Sequence, residues 1–378
     1  MRRPSCLLAA VILSVALPAA AQQVKDTCYQ CHLDLKGKLQ RPAKLWANDA
    51  HRRYGFTCTA CHNGDATVAD LAGSKGPDFV SSFERAEVPK LCGRCHSDAA
   101  LIQKHKPGQP TGQLAEYQSS VHGKALAAGD TDSPNCVDCH GIHEIRPADD
   151  PLSRVHPLRL AQTCGECHAD AERMAKHNLP ATPVDEYGES VHWDALSRNG
   201  NLHAPSCASC HGKHNTSSAK EISSAAVCGQ CHPAEADRLK RSSHQQALSG
   251  KSGECVSCHG AHKVLRASAQ LLAGPGPGCA QCHEPGSAGA KQGAGMARLL
   301  SELNDALERS DRILAQAADG GIGISQAAAG QKAGREALAK ARAAVHSFRE
   351  SEVDLLVKGG LAIAARTYLA GESALKKK

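Results

Sequence analysis

Aromatic residues are nearly missing from this chain of 378 residues: four Phe, two Trp and five Tyr make up 3% of it. The large ring surfaces that usually dominate core burial are therefore in short supply. Something other than side chains must fill much of the interior. Methionine is as scarce, with Met174 and Met296 the only two after Met1. No Lys/Arg run interleaved with aromatics occurs, and a formal charge of +6 excludes the concentrated basic face of a nucleic-acid reader. Mean hydropathy is −0.36. The only sustained apolar run is N-terminal, which excludes a polytopic membrane protein.

That run reads as an export signal. Arg2 and Arg3 precede the apolar residues 7–17, and Ala19, Ala20 and Ala21 supply a small-residue cleavage point. About 15 apolar residues fall short of the roughly 20 that a span needs. Residues 1–21 are expected to be removed, taking Cys6 with them and leaving no transmembrane span. The mature chain from Gln22 is expected in the periplasm, with an extracellular location as the other outcome of export.

What the chain has in excess is cysteine and histidine, 19 and 21 residues. Apart from Cys6, every cysteine belongs to a Cys-x-x-Cys-His unit, and there are nine. They are Cys28-Cys31-His32, Cys58-Cys61-His62, Cys92-Cys95-His96, Cys136-Cys139-His140, Cys164-Cys167-His168, Cys207-Cys210-His211, Cys228-Cys231-His232, Cys255-Cys258-His259 and Cys279-Cys282-His283. This is the attachment signature of c-type haem. Two thiols three residues apart can each add to a porphyrin vinyl group, and the next residue carries an imidazole under the iron. A disulfide scaffold would explain the even count but not a histidine after every second cysteine. Zinc sites would not require so unvarying a unit. Nine covalent haems are the expected cofactors.

On these motifs, residues 28–283 resemble a periplasmic multihaem c-type cytochrome of the broad group with paired Cys-x-x-Cys-His units, which includes the small class III cytochromes and longer electron carriers. The resemblance is specific for the cofactor and much less so for the partner.

The second axial ligand decides whether an iron passes electrons or binds substrate. Methionine could serve two haems at most, so most irons are expected to be bis-His. Three candidates extend a motif as Cys-His-Gly-x-His: His143, His214 and His262. A residue so near a proximal histidine should serve a neighbouring haem, with the glycine letting the backbone pass close by. A second set precedes motifs. Residues 116–122 and 186–192 match at Glu, Tyr, Ser, Val and His, giving His122 and His192, with His244 as a shorter echo and His51 in the corresponding place. These read as short helices carrying a distal histidine. His105 and His177 each lie nine residues after a motif histidine and are expected to reach a different haem. His346 lies in a later helix and is expected to reach back to the array. His156 and His203 match no repeat and read as loop residues.

The leading histidines His51, His122, His192 and His244 open four two-haem units, and the motif of His32 adds a ninth haem in front. His62 departs from the pattern, since Asp65 stands where the other units have the Gly-x-His histidine. From Gln22 to His283 each motif has roughly thirty residues, too few for a separate pocket, so the haems must lie close together and form the core.

The domain plan is thus a signal at 1–21, a nonahaem region at 22–284, a small-residue linker at 285–295 and a helical domain at 296–378. The fold class is mainly α: a haem-packed array with little regular structure, then a helical hairpin or three-helix bundle. In the last part Leu300, Leu303, Leu307 and Leu314 mark one helix, and Leu338, Ala341, Val345, Phe348 and Leu355 a second carrying His346. Residues 319–323 break them, and Ser351 with Asp354 could cap a third. The tail Lys376-Lys377-Lys378 reads as a solvated end.

Closely spaced bis-His haems offer a path for electrons and no vacant iron, so the expected function is electron transfer between redox protein partners, a donor and an acceptor. About two propionates per haem would add roughly eighteen negative charges and make the mature protein acidic, favouring basic docking faces on partners. Two other readings stand: a multihaem reductase of nitrite, hydroxylamine or sulfur oxyanions with one open haem, and an oligomeric subunit of an extracellular or outer-membrane conduit.

Overall fold

The computed structural model describes residues 26–248 and 254–376. The expected signal, Cys6, Gln22 and the last two lysines lie outside the described residues. No strand occurs among the described residues, and the fold is mainly α, as the sequence indicates. No helix of the described residues is long and apolar enough to cross a membrane.

Two regions differ in build. Up to His283 the helices are short, and six of the nine motifs end a helix on their own histidine: Thr59–His62, Val88–His96, Cys136–His140, Pro157–His168, Cys207–His211 and Val256–His259. Four of these stop because the next residue has a positive φ: Asn63 at 57°, Gly141 at 86°, Gly212 at 87° and Gly260 at 76°. Glycine reaches that backbone conformation without the penalty a Cβ imposes. The chain then turns back at once, which swings the following residues away from their own motif. Three of the four leading segments are tied to the tail of the next unit. Ala50 N–H donates to Ile145 O at 2.8 Å, Val121 to Thr216 at 3.0 Å and Val191 to Val264 at 2.9 Å.

The leading segments are themselves short capped helices. Ser120 and Ser190 accept from Gly123 N–H and Trp193 N–H, and Asp49 accepts from His51 N–H. Tyr117 and Tyr187 donate to Pro134 O and Pro205 O, across 17 and 18 residues, at 2.8 and 2.9 Å. The repeated Glu-Tyr-x-x-Ser-Val-His pattern thus has structural work for its tyrosine and serine.

Three long helices, Ala288–Asp319, Ser325–Ala344 and Glu350–Lys376, pack together as the bundle form of the two architectures considered. Leu303, Leu307, Val353 and Val357 are wholly buried at its centre, with Leu338 and Met296 nearly so. Two details differ from the sequence reading. The first helix begins at Ala288, within the expected 285–295 linker, because its small residues make a packing face. Gly289 lies against the His283 ring, Gly293 against Leu272 O and Cys279 Sγ, and Gly295 against the Glu350 carboxylate, where a Cβ would collide. The second helix stops at Ala344, before Val345 and Phe348. Val345–Ser347 form a 3-10 turn, and Phe348 has φ of +55°. His346 therefore sits at a corner between two helices and not within one. The third helix starts at Glu350, which places Ser351 in its first turn.

Candidate haem-binding array

Among the described residues the eighteen motif cysteines form no disulfide. They stand instead as neighbours from one motif to the next; the motifs are numbered here as stations 1 to 9 in chain order. The neighbouring thiols Cys136, Cys207 and Cys228 push Cys92, Cys164 and Cys255 up, which sets stations 3 and 4, 5 and 6, and 7 and 8 side by side. Burial first, then Asp26 and Cys28, pushes Cys58 up to about 12, which places stations 1 and 2 side by side. Burial also raises Cys61, Cys139, Cys210 and Cys258. Each of these feels cysteines of the following motif, which are Cys92 and Cys95, Cys167, Cys231, and Cys279 and Cys282. The nine stations therefore run as one unbroken file in sequence order.

Imidazoles face one another along that file. Ring centroids lie 5.9 Å apart for His62 and His143, 6.0 Å for His140 and His214, 6.0 Å for His211 and His262, and 5.9 Å for His259 and His346. The planes in these four pairs meet at 14–24°. A second group is crossed: His51 with His96 at 6.0 Å and 86°, His122 with His168 at 6.2 Å and 47°, and His244 with His283 at 6.0 Å and 66°. His192 lies near His232, whose charge, after burial, lowers the pKa of His192. These separations are too wide for a hydrogen bond. Two nitrogens each about 2 Å from a metal between them would set ring centroids about 6 Å apart.

The rings are held in the form a metal requires. His62 Nδ1–H donates to Val80 O at 2.7 Å, His32 to Leu39 O at 2.8 Å, His346 to Ala343 O at 3.1 Å and His51 to Asp49 Oδ1 at 2.9 Å. Each bond leaves Nε2 with its lone pair. Glu116 and Glu186 stand 3.5 Å from Nδ1 of His214 and His262, which accounts for the glutamate in the leading repeat. Burial pushes His122 and His140 down to about 4, so both rings stay neutral near pH 7.

Neither His105 nor His177 stands ring to ring with a motif histidine among the described residues, though His177 acts as a charge on His168. His105 lies between Tyr54 and Phe56, at 6.3 and 5.1 Å. His177 stands 3.7 Å from Asp130, close to Asp132, whose carboxylate already holds Lys176 at 2.8 Å. His156 is buried and caps the helix Pro157–His168, its Nδ1 accepting from Leu158 N–H; a histidine directly before an N1 proline was the available signal. His203 is exposed in a turn. Sequence reasoning missed Phe348, which stacks on His244 at 3.7 Å from the corner that carries His346.

No family model and no solved structure matches the chain. It is 27% identical over 217 residues, 56% of its length, to the high-molecular-weight cytochrome c of Nitratidesulfovibrio vulgaris, and the aligned part spans 34% of that protein. The chain thus covers about a third of the relative it matches, and the likeness is to a c-type cytochrome.

Proposed function

We infer that the chain is an exported nonahaem carrier that moves electrons between protein partners along a file of covalent haems. The observation that carries this reading is the set of motif histidines faced by a second imidazole at about 6 Å. Haem, bound through the paired thiols, would supply the one-electron chemistry. The chain's own residues hold position: the motif histidines and His51, His122, His143, His192, His214, His244, His262 and His346 close eight irons, and backbone carbonyls and carboxylates fix the ring tautomers.

Two imidazoles at each of eight stations would keep substrates off an iron held there and would favour comparatively low potentials, since methionine ligation raises them. Motifs whose thiols act on one another would hold their haems close together, which would give electrons a continuous route. The four near-parallel and three crossed imidazole pairs make two kinds of station that alternate along the file.

The test is a haem and iron count on the matured, exported protein, followed by low-temperature EPR of the oxidised form. The expected result is nine haems per chain with low-spin signals of two classes, rhombic for the parallel pairs and highly anisotropic for the crossed ones. A folded chain carrying far fewer than nine irons would overturn the reading.

A further inference from the structure

Two rules place the paired imidazoles, and one station escapes both. The second station of a unit is faced by the histidine that opens that unit, as His51 faces His96, His122 faces His168 and His244 faces His283. The first station of a unit is faced by the Gly-x-His of the next, as His143 faces His62, His214 faces His140 and His262 faces His211; the last in this series, His259, takes His346 from the bundle corner.

Station 1 behaves as a second station. Its Cys28 lies beside Cys58 of the next motif, as Cys92 lies beside Cys136, Cys164 beside Cys207 and Cys228 beside Cys255. Yet among the described residues no imidazole faces the His32 ring, whose Nδ1 is held by Leu39 O. After station 2 the place of the Gly-x-His histidine is taken by Asp65. Asp65 instead turns the loop, accepting from Thr67 N–H at 2.8 Å and Thr67 Oγ1 at 2.6 Å. The loop does meet station 1, through Thr27 N–H to Ala66 O at 2.9 Å, but it brings no imidazole. Besides His32, the histidines outside the pairs lie elsewhere: His105 by Tyr54 and Phe56, His156 as a helix cap, His177 at Asp130 and His203 in an exposed turn.

His32 itself is prepared like the others, with Nδ1–H bound to Leu39 O and Nε2 free for iron. Its station has one neighbour and ends the file. Resting on the reading of the file as haem stations, we propose that the iron on His32 is the ligand-binding iron of the molecule, carrying one protein imidazole and taking a small diatomic ligand on its other face. The array is then closed at eight stations and chemically open at its first end.

The test is a titration of the fully reduced holoprotein with carbon monoxide, followed at the Soret band. One molecule of gas per nine haems is expected. A Cys28→Ala/Cys31→Ala variant should keep eight haems and lose the gas, and His346→Ala should bind a second equivalent at station 8. Nine haems with no carbon monoxide bound would overturn the proposal and leave the array standing, as would one equivalent retained in the double variant. A gain of binding only in His105→Ala would overturn it too, because that ring would then close station 1. Should the double variant fail to fold, EPR of the unaltered ferric protein decides: one high-spin signal per chain supports the open iron, and none removes it. A low haem count would instead strike the array reading itself.

Discussion

The helical bundle and the motif region solve the same problem with different material. Residues 288–376 bury fourteen apolar side chains, ten of them in one continuous cluster. The much longer stretch from Asp26 to His283 buries ten, among them Trp46, Leu126 and Leu196, and they are scattered along the file. Apolar burial of about 25 cal/mol per Å² can hold the bundle together. It cannot hold the motif region, where the inward-facing groups are imidazoles set about 6 Å apart and thiols in contact with one another. One region is packed against itself, and the other is packed around a proposed cofactor.

That contrast is broken most directly by making the chain without haem. The motif region should then lose its fold, since each proposed iron ties two distant segments, such as His62 to His143 and His140 to His214. Ligand binding and folding are one equilibrium in such a region. The bundle should keep its helices. Limited proteolysis with mass mapping is expected to leave a protected fragment near residues 288–376 and nothing stable before it. A protease-resistant motif region in the haem-free chain would show that side chains suffice after all.

The bundle half of the comparison is sharpened by a single core deletion. Leu307 is wholly buried, and Gly334 of the second helix packs directly against its side chain. Leu307→Ala removes methylene groups from a site that rigid helix backbones prevent from collapsing, at a cost of about 2–5 kcal/mol. Thermal unfolding followed by far-ultraviolet circular dichroism should show the helical transition of the bundle move down, with the haem bands and their reduction potentials unchanged at room temperature. A shift in the haem spectrum would mean that the two regions fold as one unit.

How far the sequence carried each region follows from the same difference. The motifs are legible because covalent attachment needs fixed residue types at fixed spacing, and the Gly-x-His pattern is legible because it repeats. The pairing partners are not, because they depend on which units lie side by side. Nothing local to His143 names His62. The tight turn after Gly141 and the bond from Ala50 to Ile145 bring that about, and both are properties of the stacked repeat. Spacing misled for His105 and His177, whose helical offset was real but pointed along their own units. In the bundle, the leucine periodicity marked the core residues, while the break after Ala344 was hidden because Val345 and Phe348 continue an apolar pattern that the backbone abandons. The glycines of 286–295 read as a linker by composition. Gly289 and Gly293 are instead part of a helix, where their small size leaves room for the ring and sulfur of station 9, and Gly295 leaves room for the Glu350 carboxylate.

The smallest expected effect separates what charge does in the two regions. Glu186 stands 3.5 Å from His262 Nδ1, and in the proposed array His262 closes the iron of station 6 opposite His211. A negative charge behind a ligand stabilises ferric iron, which carries one more positive charge than ferrous. Glu186→Gln should therefore raise the potential of one station. The carboxylate side chain is 41% exposed, so screening limits the effect to about 1 kcal/mol at most, or a few tens of millivolts for one electron. Asp354→Asn in the bundle removes the partner of Lys358 across one turn, a surface pair worth about 0.3–0.5 kcal/mol. It should move no potential. Spectroelectrochemical titration of both variants against the parent protein checks the pair: one component displaced upward in the first, superimposable curves in the second. A downward shift, or no shift at low ionic strength, would show that Glu186 does not act through His262.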